Sequence, residues 1–505
     1  MYVKTQGENM LRTIYNNIAE GKDVRANLIS LKKELKQENN VMALMYFLAG
    51  DYDVLYDLLD DEDPKVRKNV AIILGQIGLP EMMSKLYVAY EKEDKLFVKS
   101  DYLVALRNFD YRSLLDKFKK RLDFLTTNTF EETSMKHINE EIKHLTNLLL
   151  DIEGVSTHTF TGYNVLSDII LLTNRNHKEV TLEQIENGIK KAFNAGVLVR
   201  TKNLEEILKI RTYSEMLFRL KDVTVVENDP ILAAKAIYEG KVLEFLQARH
   251  KETAPFYFRL EVKSKMPLDK KSSLTKKMAA ELERLSSRQL INSTSNYEVE
   301  IRLIENKEGL FNVLLKLYTI KDERFSYRKH AVAASISPVT AALVARLAKD
   351  YLVEDAQVLD PFCGVGTMLI ERNKLVPANP MYGIDSFGQA IDKAIINARA
   401  DETTINFINR DFFDFKHSYL FDEVFTNMPA ETGRKNKDEL MMLYHDFFNK
   451  LPEVLKDEAV IIMYTRNRDM IEREVRTRNH FSIKEKFEIS KVEEAYVYIL
   501  KFNKK

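Results

Sequence analysis

The 505-residue chain carries 76 Lys and Arg residues against 76 Asp and Glu residues, so its formal net charge is zero. Bulk attraction to nucleic acid is therefore excluded, and any contact with RNA or DNA must come from local basic surfaces. A single cysteine excludes a disulfide framework and a cysteine-based zinc site, and we predict no metal site.

The length and the hydropathy pattern limit the class of protein further. A chain of 505 residues predicts three or four domains of about 100–200 residues each. The sequence has no run of about 18 consecutive apolar residues, and its N-terminus lacks the apolar core of a signal peptide. We therefore expect a cytoplasmic protein that does not associate with membranes.

The first third of the chain has the pattern of paired helices. Asp63 can cap a helix that Pro64 begins, and apolar residues then recur at helical spacing. The same phrase occurs earlier at 23–29, and a weaker version of it follows at 98–103. The phrase D-P-x-V-R resembles HEAT repeats, so residues 1–155 are predicted to form a HEAT-like α-solenoid. Such a solenoid is usually a docking surface for a partner protein or an RNA backbone, and the alternative is that it only braces its neighbours.

The middle of the chain mixes strands and helices and predicts two small α+β units, 156–225 and 226–322. We expect an amphipathic helix over Leu182–Phe193 in the first unit and one over Pro230–Gln247 in the second. The second unit also carries a group of closely spaced basic residues: Lys263, Lys265, Lys270, Lys271, Lys276 and Lys277. This group can neutralise RNA phosphates, or it can be an ordinary solvated helix face.

The stretch 358–371 predicts a buried strand, a glycine turn and a helix. The strand ends in Asp360, the turn contains Gly364 and Gly366, and a helical pattern begins at Thr367. Such a turn presents a ligand to backbone amides at the helix N-terminus. The sequence has neither the phosphate-binding P-loop nor the three-glycine dinucleotide fingerprint. What remains is the pattern of an S-adenosylmethionine (SAM) site, with an unliganded strand–turn–helix as the alternative.

Two further predicted strands end in acids. Asp385 ends the strand after the glycine turn, and Asp411 lies near the end of the next one, predicted over Ile405–Phe412. Asp360 is placed to hold a ligand amine, whereas the acid on the second strand is placed to accept hydrogen bonds from ribose hydroxyls. Asp411 could accept a hydrogen bond from the adenine amino group, with Phe412 packing nearby.

A fourth predicted strand leads into Asn427, Met428, Pro429 and Ala430. An exocyclic amine is a poor nucleophile because its lone pair is delocalised into the ring. The side-chain oxygen of Asn427 and the carbonyl of Met428 could accept both of its N–H bonds and localise that lone pair. Pro429 would fix the turn, although Asn and Pro are also ordinary turn residues.

The run from Arg324 to Phe502 resembles the THUMP-domain class of RNA methyltransferases, which modify guanine N2 in tRNA or rRNA. The phrases R-F-x-Y-R-K, A-A-S-I-x-P, D-P-F-C-G-x-G-T and T-N-x-P carry this resemblance. It implies a Rossmann-like, seven-stranded methyltransferase domain over 323–505. It also implies that 156–225 is a ferredoxin-like unit and that 226–322 is a THUMP-like unit that binds RNA.

The resemblance assigns roles to individual residues. Those that would bind SAM are Asp360, Pro361, Phe362, Gly364, Gly366, Thr367, Asp385, Asp411 and Phe412. Those that would act on the target amine are Asn427, Met428 and Pro429. Ala430 departs from the family, whose aromatic residue at that place stacks on the target base.

The sequence therefore leaves three functions open. The first is a SAM-dependent methyltransferase that acts on an exocyclic amine of RNA, with guanine N2 favoured. The second is a protein that binds SAM or RNA without turnover and acts through its helical repeats; Ala430 favours this one. The third is a methyltransferase for DNA adenine or for a protein amine.

Overall fold

The computed structural model describes residues 2–128, 130–131, 133–154, 158–253, 255–430 and 437–504. The chain divides into two compact units, Met1–Ser156 and Thr157–Lys505. Within the described residues, no helix is both long enough and apolar enough to span a membrane.

The first unit is helical. Its helices are α1 (Tyr2–Ala19), α2 (Val24–Glu34), α3 (Glu38–Leu48), α4 (Asp53–Asp57), α5 (Pro64–Ile77), α6 (Pro80–Lys92), α7 (Leu96–Leu106), α8 (Leu115–Thr127) and α9 (Met135–Glu153). Helix α5 begins at Pro64 as the sequence predicts, because the Asp63 side chain accepts a hydrogen bond from the Lys65 amide. Its apolar face, including Val70, is buried. The likeness of this unit to HEAT repeats stays a prediction.

The second unit begins with a nine-stranded sheet, the middle sheet, and the helices that cover it. Its strands are β1 (Ser167–Thr173), β2 (Ile189–Phe193), β3 (Gly196–Thr201), β4 (Tyr213–Arg219), β5 (Val225–Val226), β6 (Phe256–Lys263), β7 (Leu290–Asn292), β8 (Val299–Glu305) and β9 (Phe311–Leu317). Its helices are α10 (Lys178–Glu183), α11 (Leu204–Ile207), α12 (Pro230–Glu239), α13 (Val242–Gln247) and α14 (Leu268–Leu285).

One sheet runs through both of the ranges that the sequence separates, 156–225 and 226–322. The strand order is β2-β3-β1-β4-β9-β8-β6-β7, with β5 added on β9. Strand β4 of the first range pairs with β9 of the second, where Phe218 faces Leu315. Both side chains are fully buried, so the two ranges share a continuous core.

Two of the predicted helices in this sheet's region are wrong. The helix predicted over Leu182–Phe193 ends at Glu183, and residues 189–193 pair with β3 as an edge strand. Most of this edge strand is exposed, so its sequence lacks the alternation of a half-buried strand. The helix predicted over Pro230–Gln247 is two helices, because Lys241 between them takes a left-handed backbone conformation with φ 63°.

The rest of the second unit is a seven-stranded sheet, the C-terminal sheet, with helices on its faces. Its strands are β10 (Ala356–Asp360), β11 (Ala378–Asp385), β12 (Asn406–Asn409), β13 (Phe421–Asn427), β14 (Leu455–Thr465), β15 (Phe481–Ser490) and β16 (Ala495–Phe502). Its helices are α15 (Pro338–Leu347), α16 (Thr367–Leu375), α17 (Gly388–Ala400), α18 (Lys437–Val454) and α19 (Arg468–Arg476).

The order of the C-terminal sheet is β12-β11-β10-β13-β14-β16-β15. The strands from β12 to β14 are parallel, β16 runs antiparallel to β14, and β15 pairs antiparallel with β16 and so runs in the same direction as β14. The order reverses between β10 and β13, and ligands of open α/β sheets bind beyond the carboxyl ends of the strands at such a reversal. The fold therefore places a ligand site where β10 and β13 end.

Two consecutive charged residues anchor helix α16 on both sides. The carboxylate of Glu371 accepts two hydrogen bonds from Arg211 of the middle sheet's region, at 2.7 and 2.8 Å, and one from the Tyr327 hydroxyl at 2.7 Å. Arg372 donates two hydrogen bonds to Glu423 on β13, at 3.0 and 2.7 Å. Glu371, Arg372 and Glu423 are all buried, so each charge depends on its partner.

We predict that Arg211→Ala destabilises the second unit strongly. The substitution leaves the fully buried carboxylate of Glu371 without its cation, a change that typically costs about 3–5 kcal/mol. The measurement is the free energy of unfolding from chemical denaturation. Arg200→Ala is the matched control. Arg200 also donates two hydrogen bonds to a carboxylate, that of Asp168, but its side chain is about half exposed. We expect a much smaller loss there, because solvent screens an exposed ion pair, and equal losses in the two variants would contradict the prediction.

Candidate active site

The glycine turn connects the buried end of β10 to the start of α16. Gly364 and Gly366 have φ values of 52° and 81°, a left-handed conformation that favours glycine. A Cβ atom on Gly366 would also lie 3.0 Å from the ring of Phe407. The turn thus needs glycine at both positions, and it brings the backbone of 362–366 to the carboxyl edge of the sheet.

Asp360 ends β10 in a fully buried position. Its Oδ1 atom accepts hydrogen bonds from the Thr426 hydroxyl at 2.6 Å and from the Phe362 amide at 3.1 Å. Its Oδ2 atom is buried and has no partner among the described residues. Burial raises the pKa of this carboxyl group to about 7, although the Thr426 hydroxyl and the Phe362 amide act to lower it.

Asp385, at the end of β11, is tied to the glycine turn. Its Oδ2 atom accepts a hydrogen bond from the Gly364 amide at 2.9 Å, and its Oδ1 atom accepts one from the Phe387 amide at 2.8 Å. Each carboxylate oxygen keeps a second lone pair that can accept from a ligand hydroxyl. Asp385 therefore fixes the turn and still faces the ligand side of the sheet.

Asp411 and Phe412 do not belong to the third strand, although the sequence analysis placed them at its end. The third strand, predicted over Ile405–Phe412, is only Asn406–Asn409, because the Asp411 carboxylate accepts a hydrogen bond from the Phe413 amide and starts a short turn. Asp411 is exposed, whereas the Phe412 ring is buried in the core, 6.0 Å from that of Phe362. Their roles toward adenine stay predictions.

Hydrogen bonds with residues of β14 and α18 fix the turn after β13. The Met428 amide donates a hydrogen bond to the carbonyl of Tyr464, and the Met428 side chain is buried in the core. The Tyr444 hydroxyl donates to the Pro429 carbonyl at 3.4 Å and shares a 2.7 Å hydrogen bond with the Thr465 hydroxyl. The Asn427 side chain itself is half-buried. The backbone of the turn is therefore fixed, and the Asn427 side chain is the group that can face a substrate.

A cleft of about 740 Å³ joins the glycine turn to the turn after β13; we call it the first cleft. Among the predicted site residues, those that line it are Phe362, Gly364, Thr367, Asp385, Asn427, Met428 and Pro429, together with Ala430. Asp360, Pro361, Gly366, Asp411 and Phe412 do not line it. Strand ends that are far apart in sequence thus meet in one space.

The sequence did not identify several other parts of this cleft. They are the segment 332–337 before α15, Phe387, Tyr464, Arg466 and Glu493. The segment could have been suspected, because it directly precedes the helix that Ser337 caps by accepting a hydrogen bond from the Thr340 amide. Arg466 and Glu493 form an ion pair of 2.7 Å across two loops, and no local pattern signals it.

The six lysines of the predicted RNA-binding group lie elsewhere, at the end of β6, in the loop that follows it and on α14. All are exposed except Lys271, which is half-buried. Lys263 forms an ion pair with Glu261 at 2.5 Å. None of the six lines the first cleft, so they form a separate basic surface, whose role in binding RNA stays a prediction.

The first cleft fits the amino-acid end of a SAM molecule. The buried Oδ2 atom of Asp360 and the buried hydroxyl of Thr367 both lack partners among the described residues, and buried polar groups without partners are rare. Thr367 lines the cleft, and Asp360 directly precedes the turn that lines it. An ammonium group and a carboxylate are ligand groups of the kind that these two atoms and the turn's amides can bind.

Comparisons with known proteins agree with this fold. Residues 326–493 match the family model described as UPF0020, RMKL-like, methyltransferase domain. The chain is similar to the structure of TrmN from Thermus thermophilus, with 19% identity and a TM-score of 0.52, over 66% of this chain and 99% of that one. It is also similar to SMU.472 complexed with SAH, with 15% identity and a TM-score of 0.49, over 67% of this chain and 99% of that one.

A third similar structure is that of a predicted N6-adenine-specific DNA methylase from Listeria monocytogenes str. 4b F2365. It has 14% identity and a TM-score of 0.48, over 66% of this chain and 96% of that one. At these identities, the likeness to TrmN shows the fold alone. The family model covers the glycine turn, the turn after β13 and the strands between them.

We predict that Asp360 makes the ligand-free protein less stable as the pH rises. Because burial lifts its pKa from 3.8 to about 7, the protonated group stabilises the folded state at low pH. That contribution is complete below the ordinary pKa and is lost as the pH rises through about 7. Urea denaturation across this range should show a falling midpoint in the natural protein and a flatter profile in Asp360→Asn. Asp411→Asn, which changes an exposed carboxylate, should keep the natural slope; a natural slope in Asp360→Asn would contradict the prediction.

These observations define the chemistry of the C-terminal part of the chain. Four observations point to the same cofactor and reaction class: the sheet order, the glycine turn, the fit of the first cleft and the family match over 326–493. Residues 326–493 form a methyltransferase domain, and its cofactor is SAM.

Proposed function

We propose that this protein is a SAM-dependent methyltransferase that modifies an exocyclic amine of RNA, with guanine N2 as the favoured target. The observation that carries the proposal is that Asn427, Met428 and Pro429 line the same cleft as the glycine turn. A group that can hold an amine therefore lies in the space that fits the methyl donor.

Bound SAM would supply an electrophilic methyl group. Asp360 and Thr367 would hold its amino-acid end, and Asp385 its ribose hydroxyls. The hydrogen bonds from the Thr426 hydroxyl and the Phe362 amide favour the charged form of Asp360, which is the form that binds an ammonium group.

The turn after β13 would then act on the target amine. The Asn427 side-chain oxygen and the Met428 carbonyl are the two acceptors for its N–H bonds, and they would favour the geometry in which the lone pair is free to react. The Met428 amide is already engaged with the Tyr464 carbonyl, and the Tyr444 hydroxyl binds the next carbonyl. The backbone of the turn, with the Met428 carbonyl, is thus fixed before the substrate arrives, which keeps the cost of reorganisation low.

The other domains would bring the RNA. In this proposal, residues 156–225 and 226–322 are the ferredoxin-like and THUMP-like units, and the lysines on α14 contact phosphates. Residues 1–155 form a HEAT-like docking surface for a partner protein. The zero net charge supports a local basic surface of this kind over general attraction to nucleic acid.

A second candidate function rests on Ala430. An alanine offers no ring on which a base can stack, and stacking is worth about 1–3 kcal/mol per base. A protein that binds SAM and RNA without transferring the methyl group would fit this feature. Methylation of DNA adenine or of a protein amine would use the same turn chemistry, and the product of the reaction distinguishes it.

We predict that Asn427→Ala strongly slows methyl transfer but keeps cofactor binding. The loss of one preorganised polar contact at the reacting group typically lowers the rate by about 100- to 1,000-fold. The assay uses labelled SAM and total RNA from a strain that lacks the gene, and it identifies N2-methylguanosine in the RNA digest. Calorimetric SAM affinity should stay within about twofold.

The control is Asn449→Ala, which makes the same change on α18 outside the first cleft and should keep full activity. Label in DNA or protein but not in RNA would support the third function. SAM binding without transfer to any substrate would support the second.

We also predict that the α14 lysines set the salt dependence of RNA binding. The triple variant Lys270→Gln, Lys276→Gln and Lys277→Gln removes up to three phosphate contacts. The slope of log affinity against log salt should then become shallower by about two for single-stranded RNA. Filter binding of total RNA at several salt concentrations measures it.

The matched control changes three exposed lysines that lie away from α14: Lys202→Gln, Lys251→Gln and Lys491→Gln. It alters the net charge by the same amount and should leave the slope close to that of the natural protein. An equal change in both triple variants would show that only net charge matters, and the basic surface would then have no specific role.

A further inference from the structure

A second cleft, of about 910 Å³, adjoins the first one. Ala430 and Arg466 line both clefts. The other side chains of the second cleft come from α18, from α19 and its N-terminal loop, and from the start of β16. The site described above does not use this space.

The sheet order shows how the two clefts are arranged. The strands run β11-β10-β13-β14, and the first cleft includes the turns that follow β10 and β13. In the sheet, Asn427 of β13 faces Tyr464 of β14, and Thr465 of β14 faces Tyr496 of β16. The second cleft, with Tyr496, therefore lies beyond Asn427 on the side away from the glycine turn. A substrate amine that enters from the second cleft would reach Asn427 from the side opposite the cofactor.

Tyr496 gives this second cleft an aromatic wall. Its side chain is half-buried, and its ring lies 5.8 Å from the Arg468 guanidinium and 5.1 Å from the Lys486 ammonium. A ring next to cations is suited to a nucleotide, because the base stacks on the ring and the phosphate meets the positive charge. Ala430 adds no bulk between this ring and the first cleft.

The remaining charges limit what the cleft can hold. Its acidic lining residues are Asp438, Asp446, Asp469, Glu474 and Glu494, and its basic ones are Lys437, Arg466, Arg468 and Arg473. This lining offers no continuous positive surface for an extended polyanion, so we expect it to hold a single nucleotide. The methionines Met441, Met442 and Met470 supply an apolar, adaptable surface for the base.

We infer that the second cleft is the acceptor site, in which Tyr496 stacks on the target nucleoside and Arg468 contacts its phosphate. This inference rests on the proposed function, since it names the site from which an RNA base reaches Asn427. Tyr496 would supply, from another strand, the aromatic surface that position 430 lacks.

The natural chain contains no tryptophan, and this makes a direct test possible. Tyr496→Trp introduces a single indole in the second cleft, and its fluorescence should be quenched saturably when guanosine 5′-monophosphate is added. The matched control is Tyr351→Trp. The Tyr496 hydroxyl donates to Glu488 of β15 at 3.5 Å and the Tyr351 hydroxyl to Glu485 of β15 at 3.4 Å, but Tyr351 lines neither cleft. Its fluorescence should not respond. Equal responses of the two variants, or no response of Tyr496→Trp, would overturn the inference.

Turnover provides the second test. Tyr496→Leu should lower methyl transfer at subsaturating total RNA by roughly 5- to 100-fold, the range that loss of one base stack gives. Tyr496→Phe keeps the ring and should stay within about threefold of the natural protein, and calorimetric SAM affinity should be unchanged in both. Equal losses in the two variants, or a parallel loss of SAM affinity, would assign Tyr496 a structural role only. If guanosine 5′-monophosphate quenches Tyr496→Trp but the natural protein transfers no methyl group, the nucleotide site would stand and the proposed activity would be refuted.

Discussion

Helix α16 is the element on which the rest of the second unit depends. Its first residue follows the glycine turn, and two consecutive residues of its middle, Glu371 and Arg372, are buried charges. One is neutralised by Arg211 from the middle sheet's region and the other by Glu423 on β13. A buried charge without its partner is strongly destabilising. The helix, the middle sheet and the strand that carries Asn427 must therefore fold together.

A buried side-chain hydrogen bond links the two halves of the first cleft. The Thr426 hydroxyl, one residue before Asn427, donates to Asp360 at the end of β10. The glycine turn is fixed on its other side by Asp385, which accepts from the Gly364 amide. The residues proposed for the cofactor and those proposed for the target amine therefore share one rigid edge, as a reaction that depends on alignment requires.

Ala430 has a different meaning in the folded chain than in the sequence. In the sequence, Ala430 stands where the resembling family has an aromatic residue that stacks on the base, and this favours a protein without turnover. In the structure, it lies where the two clefts meet, and Tyr496 lines the neighbouring space. A stacking surface can be supplied by any strand that begins or ends at the same edge of the sheet. For this reason the lack of an aromatic residue at one position is weak grounds for inactivity.

The sequence alone determined the elements that follow local rules. The Asp63 cap, the glycine turn and the strands that end at Asp360 and Asp385 were all readable, because caps, left-handed turns and buried strands each leave a short pattern. The exposed edge strand at Ile189–Phe193 leaves no such pattern, and the sequence analysis predicted a helix there. Only the tertiary structure decided that two clefts meet at Ala430 and that α16 is anchored from both sides. Those features join residues dozens or more positions apart, and no local spacing records which strand will lie beside which.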